Sequence, residues 1–459
     1  MTNATPSAVA AAAQEQLMDL AGSLRDRARP GEEVEVMLAE GRSTSVKVFA
    51  GSVESLTVAG GAGAGIRVLS GGRQGFAHCG SLELDVLEAT LAEARDNAEF
   101  AEPDEWNGLA VPDGVTPVVV DSWNDAVVDT PTDRKVDLAV DLDRRVTSVD
   151  PRVTSARVTS YSDGWAVHAL ASTQGVEVST RGASCGIGTQ PLARAGDETQ
   201  IGWGSDAARE PDALDVDRVV SEAVERATQL LGATKPQSSR RTILLEPRLA
   251  ATLLSVVSGM LCGSRVVKGR SPFADRLGEQ VASDLLTMTD DPTRIESLAA
   301  ESHDGEGLAC RSNPLITNGV LDRFLHDSYS GRRSGAASTG SAVRGTRSLP
   351  GVGAQLLVVK PGDRSFDELV ASIDHGIYVT SFSGLHSGIN ATSGDFSVGA
   401  EGILIANGAL STPVREVTVA STIQRLLLDI VEVGGDFEWL NGGDGACSLV
   451  IADVAVSGT

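Results

Sequence analysis

The stretch RVTSARVTSYSDGWAVHALASTQGVEVSTRGASCGIGTQPLARAGDETQIGW, residues 152–203, decides the reading of the fold. Apolar and polar residues alternate through it with a period of two, the pattern of strands with one buried face. Turn chemistry punctuates it at Ser162-Asp163-Gly164, Gln174-Gly175 and Ala195-Gly196-Asp197, residue types that accept positive φ or bond their own backbone. The spacing predicts an antiparallel meander. Beyond it, Val216, Val220, Ala223, Ala227 and Leu230 recur at helical spacing across 212–231 and Gly232 supplies a stop, so the meander is expected to carry a helix.

Toward the N-terminus, 14–28 reads as an amphipathic helix, and 33–39 and 44–49 as strands. The run Gly60-Gly61-Ala62-Gly63-Ala64-Gly65 lacks the third glycine of a dinucleotide fingerprint and leads into a strand-like Ile66-Arg67-Val68-Leu69; it reads as a hairpin entry. Gly71-Gly72 is a hairpin turn, and Ser81 is expected to cap a helix running to about Phe100. Toward the C-terminus, a strand over 242–245 and a helix over 248–261 precede a long β-rich stretch. Ser365-Phe366-Asp367-Glu368 forms a capping box for a helix closed by Gly376. A helix over 422–433 and a buried strand over 448–456 complete the chain. Prolines 103, 112 and 117 and the polar segment 234–241 mark boundaries. The expected fold class is α+β: a flexible tail (1–13), a small N-terminal α+β domain (14–110), a central α+β meander domain (111–233), a linker (234–241) and a large β-rich C-terminal domain (242–459).

Composition agrees with a turn-rich, multi-domain protein: 459 residues include 50 glycines and only 4% aromatics. Setting 38 Lys and Arg against 62 Asp and Glu leaves a net charge of −24, which argues against a direct nucleic-acid surface. No run approaches the roughly 20 apolar residues that span a bilayer, so no membrane partner is expected. Five cysteines, dispersed and without C-x-x-C spacing, imply neither a disulfide framework nor a cysteine-rich zinc site and favour a cytoplasmic location.

For chemistry, the six histidines include no pair three or four residues apart, so no helix-borne zinc site is expected from spacing. Ser184 matches G-x-S-x-G but lies inside the meander rather than at a strand-to-helix elbow, and nothing in the sequence marks a thiolate-stabilising neighbour for Cys185. Two polar stretches remain as candidates for peptide contact or association: 383–397, with Ser387, Asn390, Asp395 and Phe396, and His326-Asp327-Ser328-Tyr329-Ser330 followed by Arg332 and Arg333.

Several blocks together carry a family resemblance: GIRVLSGGRQGFA (65–77), LGEQV (277–281), FLHDSYSGRRSG (324–335), STG (338–340), SGDFSVGAEG (393–402) and VGGDF (433–437). Their order resembles the TldD/PmbA metallopeptidase family, and the HDSYS and SGDFS blocks resemble its TldE (PmbA) branch. The resemblance implies a two-subunit protease in which a TldD-type partner supplies an HExxxH zinc helix. It also implies trimming of peptide precursors and degradation of antitoxin-like proteins, with an indirect link to gyrase through such peptides. Matching Gly259 to the glycine before the second histidine puts Ser255, Val256 and Met260 at the His, Glu and His positions. None of the three substitutes chemically. Cys447 falls near the family's third zinc ligand and reads as a remnant or a packed thiol. The resemblance therefore implies a chain that is inactive alone, holds no cofactor itself, relies on zinc in the partner, and acts on unfolded or short peptides. A homodimer is also open, as are a stand-alone peptide-binding or regulatory protein and a hydrolase using Ser184 or Cys185.

Overall fold

The computed structural model describes residues 6–458 and is a mixed α+β protein. Its first sheet has seven strands, all paired antiparallel. In space they run Arg73–Cys79, Ser52–Ser70, Glu32–Phe49, Val153–Ser172, Glu177–Ala195 and Glu198–Ile201, with Gly204–Ala208 also on Glu177–Ala195. Glu32–Phe49 pairs with Val153–Ser172 from Glu35–Ser172 to Val48–Thr159, so one sheet runs through both the N-terminal and the central segments. Helices cover one face. Leu84–Phe100 packs on Arg73–Cys79, and Val216–Thr228 packs on Glu177–Ala195. Glycines set how closely they approach: a Cβ on Gly75 would stand 1.9 Å from the carbonyl oxygen of Ala94, and one on Gly202 2.1 Å from that of Ala223.

The C-terminal half is built on Ala409–Thr422, Asp395–Ala406, His375–Ser383, Ser239–Leu245 and Leu449–Ser457 in that spatial order. A further pairing of Thr418–Ala420 with Ala455–Ser457 closes these five strands into a ring. Beside it lies a smaller six-stranded sheet that includes Met288–Asp290, Asn313–Thr317 and Leu357–Val359. The helix Pro247–Met260 buries Leu249, Leu253, Leu254, Val257 and Met260 in the core between them. Among the described residues no helix is long and apolar enough to cross a membrane, and all five cysteines are free.

Several local expectations are corrected. The expected flexible tail is helical from residue 6, because the first helix spans Pro6–Arg25; residues 1–5 lie outside the described residues. Ser162-Asp163-Gly164 is no turn: it continues the strand Val153–Ser172, where Asp163 pairs at 2.5 Å with buried Lys135. The Gly60–65 run is strand interior, with Gly61 opposite Gly41, and the hairpin bend falls instead at Ala50-Gly51, both at positive φ. The two expected strands 33–39 and 44–49 are thus one strand of 18 residues. Ser81 does not cap the helix, which starts at Leu84 after Glu83. Gly376 is a strand residue whose missing Cβ admits Ile373 and the Thr242 carbonyl. The expected helix 422–433 ends at Leu428, since Ile430–Val433 pairs with the final strand.

Candidate functional site

The helix Pro247–Met260 begins after Glu246, with Pro247 in its first turn, where a missing N–H costs nothing. Its apolar side faces the core. Ser255 is exposed and Val256 half-buried, whereas Met260 is 0% exposed within the core. The three side chains that the resemblance matches to zinc-helix positions therefore point into different environments and do not converge on one point. Cys447 is fully buried, and burial with Asp436 and Glu438 nearby pushes its thiol up to about 12, the setting of a packed thiol. This donor set does not fit zinc. Among the described residues no three His, Cys, Asp or Glu side chains are placed to hold a metal.

Ser255 and Val256 instead line a cleft of about 490 Å³ with Trp203, Arg226, Arg248 and Trp439. The guanidinium carbons of Arg226 and Arg248 lie 3.8 and 4.4 Å from the Trp203 ring centre, a stacked cation–π arrangement. Glu246, ahead of the helix, approaches Arg248 at 2.6 Å. Glu438 is solvent-accessible at its edge, yet its carboxyl is raised by partial desolvation and by the neighbouring Glu222 and Glu246. Sequence reasoning missed this cleft. The chain has only five tryptophans, and their positions were the available signal.

The HDSYS block forms a clasp. Asp327 caps the short helix Ser328–Ser334, accepting from the Ser330 N–H at 2.8 Å. Burial lowers the pKa of His326, which rests against Gly263, where a Cβ would come within 2.2 Å of its Nδ1. Tyr329 donates its hydroxyl to Asp104 at 2.8 Å, and Arg333 donates to the Tyr329 oxygen at 3.1 Å. Arg332 donates to the carbonyls of Trp106 and Gly108, both at 2.8 Å, and to that of Leu109 at 3.3 Å. These three residues thus hold 104–109 from the N-terminal half against the C-terminal half.

In the second predicted stretch, Asn390 folds the loop on itself by accepting from the N–H groups of Thr392 at 2.9 Å and Ser393 at 3.2 Å. Asp395 accepts from the Ser393 hydroxyl at 2.6 Å. Ser387, Asn390 and Asp395 are exposed, whereas Phe396 turns inward and meets Phe382 edge-on. Among the described residues no hydrogen bond joins this loop to the clasp. Ser184 sits exposed in mid-strand, and burial holds the neighbouring Cys185 thiol up at about 11, so neither has the setting of a nucleophile.

Family models match three consecutive segments: PmbA/TldA metallopeptidase domain 1 over 34–98, the central domain over 126–231 and the C-terminal domain over 238–458. Metalloprotease PmbA of Escherichia coli is 25% identical over 433 residues, covering 92% of each chain. A Metalloprotease PmbA homolog of Haemophilus influenzae is 25% identical over 425 residues, covering 92% of this chain and 91% of that one. The crystal structure of TldE from Thermococcus kodakarensis superposes with a TM-score of 0.86 at 24% identity, covering 97% of this chain and all of that one, a likeness of fold. A metalloprotease-like architecture is thereby defined. The chain belongs to the PmbA/TldD metallopeptidase family.

Proposed function

We propose that this chain is the non-catalytic, TldE-type half of a two-chain metallopeptidase that degrades or trims unfolded or short peptides. The observation that carries the reading is the helix Pro247–Met260, where the three positions that the family resemblance matches to His, Glu and His hold an exposed hydroxyl, a half-buried valine and a core-buried thioether. Zinc held by a TldD-type partner would polarise the scissile carbonyl, and this chain would help enclose the peptide. An extended peptide is held mainly through its backbone, which gives weak sequence preference. The cleft beside Ser255 supports the reading: the helix keeps an open face where a metal-bearing relative would work.

The test is cleavage of an unstructured peptide by this chain alone, by a TldD-type chain from the same genome, and by the two mixed. Chelator-sensitive cleavage only in the mixture is expected. Cleavage by this chain alone overturns the reading, and a mixture that never cleaves favours a stand-alone peptide-binding or regulatory protein.

A further inference from the structure

The first sheet leaves one long backbone edge uncovered, the outer half of the strand Ser52–Ser70. Arg73–Cys79 pairs with that strand only from Ala64 onward, and every residue from Ser52 to Gly61 is exposed. Among the described residues this stretch pairs with Glu32–Phe49 on one side and with nothing on the other. The opposite edge of the sheet ends in strands of only four and five residues. Long edges are ordinarily blocked by lysine, proline or a covering segment. Residues 52–61 contain neither residue type, and the one bulge lies near their end, at Glu54. Val53, Leu56 and Val58 stand 43, 43 and 45% exposed. Such an edge is a template for another strand.

The strand is complementary to itself. Two copies pair antiparallel about a two-fold axis, which keeps each side chain on its own face of the joined sheet. Centred on Thr57, the pairing sets Leu56 of each copy opposite Val58 of the other, and Glu54 opposite Gly60. Centring on Leu56 would instead set Glu54 against Val58, and centring on Val58 would set Leu56 against Gly60. Of these, only the Thr57 register matches apolar with apolar. Charge favours the same register. Arg42 lies beside Gly60 within the chain, so the row continues from Arg42 across Gly60 to Glu54 of the second copy. Gly60 puts no side chain between them, and two strand spacings, about 10 Å between Cα atoms, are within reach of an extended arginine and glutamate. Arg42 and Glu54 are exposed, and among the described residues neither has an ion-pair partner. The two-fold makes the bridge twice. A ladder over Val53–Gly61 adds about eight to ten backbone hydrogen bonds, close to the roughly ten of a typical stable interface.

We infer that Val53–Gly61 is a dimerisation edge, which pairs antiparallel about Thr57 with a second copy of this chain and joins the two first sheets into one. The inference is independent of the peptidase reading above. It is tested by sedimentation velocity of the full chain, which at about 20 μM should give twice the 47.5 kDa of one chain. Arg42→Glu and Glu54→Arg should each weaken the dimer about tenfold, and the two together should return it to within about threefold of wild type. Leu56→Lys with Val58→Lys, which sets like charges opposite one another, should leave a monomer with unchanged far-UV circular dichroism. All four positions are exposed in the single chain or, for Leu56 and Val58, more than two-fifths so, and the variants therefore fold. A chain that stays monomeric at about 100 μM, a dimer that none of these variants weakens, or charge reversals whose effects add instead of cancelling overturns the inference. So does an edge occupied only by a TldD-type chain: a mixed complex that Leu56→Lys with Val58→Lys abolishes while the wild-type chain alone is monomeric.

Discussion

Replacing Arg332 by alanine removes three hydrogen bonds that tie the helix Ser328–Ser334 to residues 106–109. Two run at 2.8 Å and the third at 3.3 Å. A hydrogen bond to a charged group contributes about 1.5–3 kcal/mol when its partner is desolvated. Trp106 and Gly108 are half-buried and Leu109 is 2% exposed, so water re-satisfies only part of what is lost. The two short bonds at the low end of that range give a loss of about 3 kcal/mol. With a urea slope of about 3 kcal/mol per molar, the unfolding midpoint falls by about 1 M. Circular dichroism and tryptophan fluorescence follow the transition in wild type, Arg332→Ala and Arg332→Lys. A lysine ammonium cannot reach three carbonyls at once and should recover no more than about a third of the loss. A midpoint drop below about 0.2 M, or a lysine variant as stable as wild type, would refute the clasp as a source of stability.

Three further predictions follow from packing and charge. Gly75→Ala places a Cβ 1.9 Å from the Ala94 carbonyl, so the helix Leu84–Phe100 must move off the sheet; a loss of about 3 kcal/mol is expected, read as a lowered melting temperature. Lys135→Met strands the Asp163 carboxylate, whose partner Nζ lies at 2.5 Å with both side chains under a tenth exposed. That variant should lose about 3–5 kcal/mol, and Lys135→Met with Asp163→Leu should recover most of it. Burial pushes the Asp290 carboxyl up to about 6 despite hydrogen bonds from the Gln355 and Leu356 N–H groups. The folded state therefore holds a proton that the unfolded state releases near 4: the burial penalty is absent below that range and complete above about 6, so this group lowers stability as pH rises. Urea midpoints from pH 4 to 7 should vary less with pH in Asp290→Asn than in wild type.

Much of the first sheet was legible in the alternation of residues 152–203, because one face is buried and the other is lined with small or polar groups. Where the reading failed, local chemistry was overruled by partners distant in sequence. Ser162-Asp163-Gly164 has turn residues, but Asp163 is used to neutralise Lys135, and Gly164 lies close to the Arg42 carbonyl of the neighbouring strand. Ile423, Leu426, Leu427 and Ile430 share a helical face in sequence, yet Ile430 belongs to a strand because Ile451 is there to pair with it. Ser255, Val256 and Met260 were singled out by residue type alone, and their differing exposure could not be read from it. The Trp203 stack and the Arg332 clasp were not legible, since each joins residues separated by tens to hundreds of positions.

The central claim is that metal chemistry resides outside this chain, and zinc content measures it most directly. After equilibrium dialysis against excess zinc and removal of loosely bound ion, elemental mass spectrometry should find well under about 0.1 equivalent on this chain alone, and about one equivalent per pair once a TldD-type chain is bound. One tightly held equivalent on this chain by itself would contradict the account.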